Sequence, residues 1–138
     1  MVLFSSLNYW GERMLKAYFE MFERDREFST RQTKEDFWRS ACIDIIIWAI
    51  IALLAIIFSD MLIFWGVVAI IYLLATFSAR LALWFRRMHD TGIKGTFSLV
   101  ILIPVLGVIA LLFIFMSDSQ PKNNAYGEYI KPPKKKKK

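Results

Sequence analysis

Three long apolar runs, at 41–58, 61–79 and 97–116, constrain this 138-residue chain more than any other feature. Each is close to the roughly 20 apolar residues that an α-helix needs to cross a bilayer's hydrocarbon core. They predict an all-α integral membrane protein with three transmembrane helices. Hydrophobic residues make up 57% of the chain, against about 45–50% in an ordinary soluble domain. The excess lies in the runs, so little chain is left for a separate soluble domain. The expected organisation is a cytosolic flank at 1–33, a membrane domain at 34–116 and a polar tail at 117–138.

The first apolar run begins only at Ala41, and no short apolar core with a cleavage site precedes it. The expectation is an uncleaved signal-anchor rather than a secretory signal peptide. Before it, Leu7, Trp10, Met14, Ala17 and Met21 recur at spacings of three and four, with Tyr18 and Phe22 on the flank. This is the stripe of an amphipathic helix, lying either in the membrane interface or on the protein's own loops. Thr33 then stands three residues before Asp36, a near match to a capping box. A helix from Lys34 to Phe58 would be about 37 Å long, with Phe37 and Trp38 at headgroup level. Ser59 and Asp60 are the only polar break before the second helix, which is expected to run from Met61 to about Met88. Pro104 and Gly107 predict a kink in the third.

Lys and Arg counts set the orientation. Seven precede the first run, none lies between the first two, four lie in the second loop region and seven in the tail. With three spans and a cytosolic N-terminus, 11 face the cytosol and seven face out, so that arrangement is preferred. A re-entrant third segment turning at Pro104 would put all 18 inside. Three spans are preferred on length. The tail ends in Lys134–Lys138, a block expected to be solvated or to meet anionic lipid, not nucleic acid.

Arg86-Arg87-Met88-His89-Asp90-Thr91-Gly92 lies at the end of the second helix, with Gly95 after it. This stretch resembles the signature of the YhaH-like small inner-membrane proteins grouped as domain of unknown function 805 (DUF805). Leu102-Ile103-Pro104 and Gly107 resemble that family's next motif, and Pro121, Asn124, Tyr126 and Gly127 its tail. Arg31, Phe37 and Trp38 fit the motif before the first span, although Thr30 and Lys34 depart from it and Thr96 replaces an aromatic. The resemblance covers roughly residues 18–129. It implies a bacterial inner-membrane location and a small multi-pass fold, and no established activity.

If the first two spans form a hairpin about Ser59-Asp60, residues at equal depth sum to about 119, so Arg39 is level with Arg80. Arg80, Arg86, Arg87, His89 and Asp90 then form a candidate headgroup or partner site, supported by a rim of Arg31, Asp36, Trp38 and Arg39. Arginine forks suit phosphate and carboxylate groups. The plainer reading pairs the arginines with Asp36 and Asp90, in keeping with positive-inside insertion. Asp44 is the one acidic residue inside a run and reads as a possible intramembrane polar site, or one bonded to Ser78.

His89 is the only histidine, which argues against a multi-histidine metal site. The lone Cys42 rules out an intrachain disulfide and is expected to be a small buried thiol. No P-loop, dinucleotide fingerprint or nucleophile elbow is present. No cofactor is expected. The leading expectation is a non-enzymatic membrane component that binds a protein partner or anionic lipid through the arginine-rich rim. A small transporter or channel component, oligomeric through Gly66, Ala69, Ala75 and Ala79, stands second. A lipid-modifying enzyme using His89 stands third.

Overall fold

In the computed structural model, which describes residues 2–130, four α-helices follow one another: α1 (Val2–Glu23), α2 (Lys34–Ile57), α3 (Leu62–Asp90) and α4 (Leu106–Met116). Two 3-10 segments, Ser59–Met61 and Gly95–Leu102, lie between them. The five terminal lysines fall outside the described residues.

α2 begins where the sequence signals it. Thr33 is extended and its hydroxyl accepts from the Asp36 amide, while Glu35 and Asp36 place negative charge in the first turn. Both features suit the unpaired N–H groups and positive dipole of a helix start. With 24 and 29 residues, α2 and α3 are about 36 and 43 Å long. Both are long and apolar enough to cross a membrane, and only 6% of each apolar window is buried inside the protein. Ile50, Leu53, Ile63, Ile70 and Leu74 face outward. In a soluble core, helices this hydrophobic would be enclosed.

The third apolar run is the main correction. It is not one membrane-length helix. The 3-10 helix Gly95–Leu102 ends in extended Ile103, and α4 starts only after Val105. Pro104 explains the break, because it disfavours helical geometry at the preceding residue and has no N–H to donate. Val105 takes φ +63°, and the Leu106 amide donates to the Pro104 carbonyl at 2.7 Å. That is a γ-turn, rare and strained for a β-branched residue. The kink expected at Pro104 is thus a full reversal. α4 has 11 residues, about 16 Å, half the roughly 30 Å hydrocarbon core.

Tyr18, Met21, Phe37, Ala79, Leu83, Met88, Leu111, Ile114 and Phe115 form one core at the C-terminal half of α3. α1 lies across it. The Ser40 hydroxyl donates to the Ala17 carbonyl at 2.8 Å, and the Arg39 guanidinium sits over Trp10. Of the stripe residues from Trp10 onward, Ala17 and Met21 are buried, joined by Tyr18, whereas Trp10, like Leu15 and Phe19, is exposed. Cys42, expected buried, is exposed on α2.

Close packing of the reversal depends on Gly107. A Cβ there would overlap the Val100 carbonyl. Gly107→Ala is expected to lower stability by about 1–3 kcal/mol through overpacking. Gly66→Ala, which meets nothing within 4 Å, should leave it unchanged. Thermal unfolding in mild detergent measures both.

Candidate functional site

The charged residues expected at one rim are divided by the fold into separate groups. The first is centred on Asp90, which is fully buried together with Arg31 and Arg87. Arg31 Nε donates to Asp90 Oδ1 at 3.0 Å, and Arg87 Nη1 donates to Asp90 Oδ2 at 2.5 Å. The Ser119 hydroxyl also donates to Asp90. Further guanidinium hydrogens go to main-chain carbonyls. Arg31 reaches those of Gln120 (2.8 Å) and Lys122 (2.9 Å), and Arg87 those of Phe115 (3.3 Å) and Ser117. One carboxylate and a set of carbonyls therefore satisfy two buried cations.

Arg86 points the other way. It donates to the Arg24 carbonyl and, more weakly, to that of Glu27 at 3.4 Å, while its own carbonyl accepts from the Gln32 amide. It has no ion pair among the described residues, and its Nε has no partner. The segment it holds is fastened further by Arg24 Nε, which donates to Glu27 at 2.7 Å. That bond keeps the Glu27 carboxyl below its ordinary pKa.

His89 is held by the backbone on both sides. Its Nε2 accepts from the Gly95 amide at 3.1 Å, and Nδ1 lies 3.3 Å from the Thr30 carbonyl. These partners assign the neutral tautomer with the proton on Nδ1. The ring stacks on Tyr126 with centroids 3.7 Å apart. Neither nitrogen is left to act on a substrate. Gly95 is required for this approach, because a Cβ there would enter the Phe85 ring. Gly92 turns the chain with φ +83°, a conformation glycine adopts without strain.

The second group caps α2. Arg39 donates to Asp36 at 2.5 Å and to Glu35 at 3.1 Å. The third group lies deeper. Its cation is Arg80. It reaches Asp44 at 2.7 Å, and Tyr72 donates to the same carboxylate oxygen at 2.6 Å. Tyr18 bonds Tyr72 at 2.9 Å. Ser78, the alternative partner for Asp44, instead donates to the Asp25 carbonyl. Arg80 also lies over the Trp48 and Tyr72 rings.

This deeper pair lines a cleft of about 270 Å³ that also contains Ser40, Trp38, Trp84 and Leu83. Ile45 on α2 and Leu112 on α4, both exposed, also line it. Trp38 is fixed by donating its indole N–H to the Phe115 carbonyl at 3.2 Å. Of the expected site, the cleft gathers Trp38, Asp44 and Arg80. Arg31, Arg86, Arg87, His89 and Asp90 are turned inward. Sequence reasoning missed Tyr18, Tyr72 and Trp84. The one available signal was a tyrosine two helical turns before Arg80, on the same face of α3.

Residues 26–128, which include both motif segments and the tail that covers them, match the family model described as Protein of unknown function (DUF805). The chain belongs to the DUF805 family. It is 33% identical over 113 residues to the inner membrane protein YhaI of Escherichia coli K12, covering 82% of this chain and 93% of that protein. It is 26% identical over 124 residues to the inner membrane protein YhaH of the same organism, covering 86% and 93%. No solved structure matches. The chain is thus a DUF805 protein of the bacterial inner membrane, with at least two membrane-length helices. The motif that carries the DUF805 resemblance is the stretch folded around Asp90.

Asp90→Ala would leave two buried guanidinium groups without their carboxylate. The expected loss is about 3–5 kcal/mol, seen as a large fall in unfolding temperature and in accumulated protein. Lys34→Ala breaks only the exposed pair with Asp118 and should change stability by no more than about 0.5 kcal/mol.

Proposed function

We propose that this protein is a non-enzymatic membrane component that holds an anionic phospholipid in the cleft beside Asp44 and Arg80. The observation that carries this reading is the cleft's composition. Apolar walls are joined to one ion pair, one hydroxyl and two indoles, and the mouth lies between the outward faces of α2 and α4. Indoles prefer the depth where acyl chains meet headgroups. An acyl chain fits against Leu83 and Leu112, with the glycerol ester oxygens near Arg80, whose Nε has no partner among the described residues.

Charge favours an anionic headgroup. The chain carries a net charge of +6, and among the described residues no Lys or Arg lies between α2 and α3, while Lys34, Arg39, Arg80, Arg86 and Arg87 stand toward the other end of that hairpin. Each cation near an anionic surface contributes about 1 kcal/mol. The same asymmetry supports an N-terminus in the cytosol. The Asp90 cluster serves as the clamp that keeps the segment between α1 and α2, the end of α3 and the tail together beside the cleft. A ligand reaching Arg86 or Arg87 would have to displace their protein carbonyls.

Native mass spectrometry with phosphatidylglycerol tests the reading. The unmodified protein is expected to retain one lipid at activation energies that strip the detergent. Leu112→Trp, which fills the mouth from a position already exposed, should reduce that retention at least tenfold with unfolding temperature unchanged. Equal retention by both proteins, or none by either, would overturn the site.

A further inference from the structure

Independently of what occupies the cleft, we infer that residues 95–116 form a re-entrant hairpin that enters and leaves the membrane at one face. The tail then lies on the same side as α1. Both ends of the segment are fastened to the last turn of α3. At the entry, the Ile93 amide donates to the Met88 carbonyl (3.0 Å) and the Gly95 amide to His89. At the exit, Arg87 holds the Phe115 and Ser117 carbonyls, and the Gln120 amide donates to the Asp90 carbonyl at 2.8 Å. Lys34, at the start of α2, pairs with Asp118 at 3.0 Å. A segment that crossed the bilayer would separate its two ends by about 30 Å.

The legs have the right length for half a bilayer. Eight residues of 3-10 helix rise about 16 Å at 2.0 Å each, and the 11 of α4 rise about the same. The tip carries no polar side chain, and Leu102, Val105 and Leu106 are about 70% exposed. Water does not tolerate so large an apolar surface on a monomer.

Four carbonyls of the bend find partners within it, which lowers the cost of placing non-helical backbone in lipid. The Val100 carbonyl accepts from Ile103, Ile103 from Gly107, Pro104 from Leu106 and Val105 from Ile109. Basic charge agrees. With the hairpin returning, the seven cations before the first apolar run, the four after the second and the seven of the tail share one face, all 18 in the chain. A crossing segment would strand seven on the opposite side against the positive-inside bias.

Cysteine labelling decides the matter, using Cys42→Ala as background and exposed positions for the probes. Arg26→Cys, Ala125→Cys and Asp60→Cys are reacted with a membrane-impermeant maleimide in intact spheroplasts and in inverted vesicles. Ala125→Cys is expected to label in inverted vesicles together with Arg26→Cys, while Asp60→Cys labels only in spheroplasts. Glu128→Cys repeats the tail measurement at a second exposed residue. Val105→Cys should resist the reagent from both sides. Labelling of either tail cysteine together with Asp60→Cys, or of Val105→Cys in spheroplasts, would overturn the hairpin.

Discussion

Two arginines from distant parts of the chain share one buried carboxylate, and the rest of the molecule is arranged around that fact. Asp90 accepts from Arg31 and Arg87, and all three side chains are at most 1% exposed. Burying an ion pair costs desolvation that its attraction repays only with good geometry and full hydrogen bonding. Here the repayment comes from Ser119 and from the carbonyls of residues 115–122. The segment between α1 and α2, the end of α3 and the tail thus become one unit, although little apolar surface joins them.

That unit explains why so hydrophobic a chain has so small a core. The buried apolar cluster holds nine residues, while most of the large aliphatic side chains of α2, α3 and α4 point outward. In water this arrangement would collapse, because apolar burial dominates folding there. In a bilayer the outward residues are already solvated by lipid, and polar contacts and packing carry cohesion instead. The polar clamp at the end of α3 follows the same rule.

The sequence made the two long helices legible, because length, hydropathy and the Thr33 cap act locally. Their observed ends lie within two residues of the expected ones. The third run misled because composition counts apolar residues without reporting the path of the backbone. Pro104 and Gly107 read as a kink, while the γ-turn at Val105 and the contact of Gly107 with Val100 exist only in three dimensions. The rim was legible as a set of residues and, for Asp36 and Asp90, as ion pairs with arginines, whereas the partners of Arg80 and Arg86 were not. Equal-depth reasoning places Cα atoms, whereas an arginine side chain reaches well along its helix axis, which is why Arg80 meets Asp44. The backbone partners of both His89 nitrogens, the Thr30 carbonyl and the Gly95 amide, were likewise invisible in the sequence.

The chain order of the Asp90 partners has a consequence for biosynthesis. Arg31 is made early, Arg87 and Asp90 midway, and Ser119, Gln120 and Lys122 near the end. While a ribosome still holds the final segment, α2 and α3 are complete, but Asp90 lacks the Ser119 hydroxyl, and Arg31 and Arg87 lack the tail carbonyls. Assembly of this polar cap therefore follows the synthesis of α2 and α3. The protein reaches its finished form only after the last of these residues has left the ribosome, so a chain cut short before Ser117 would be inserted in the membrane but never closed.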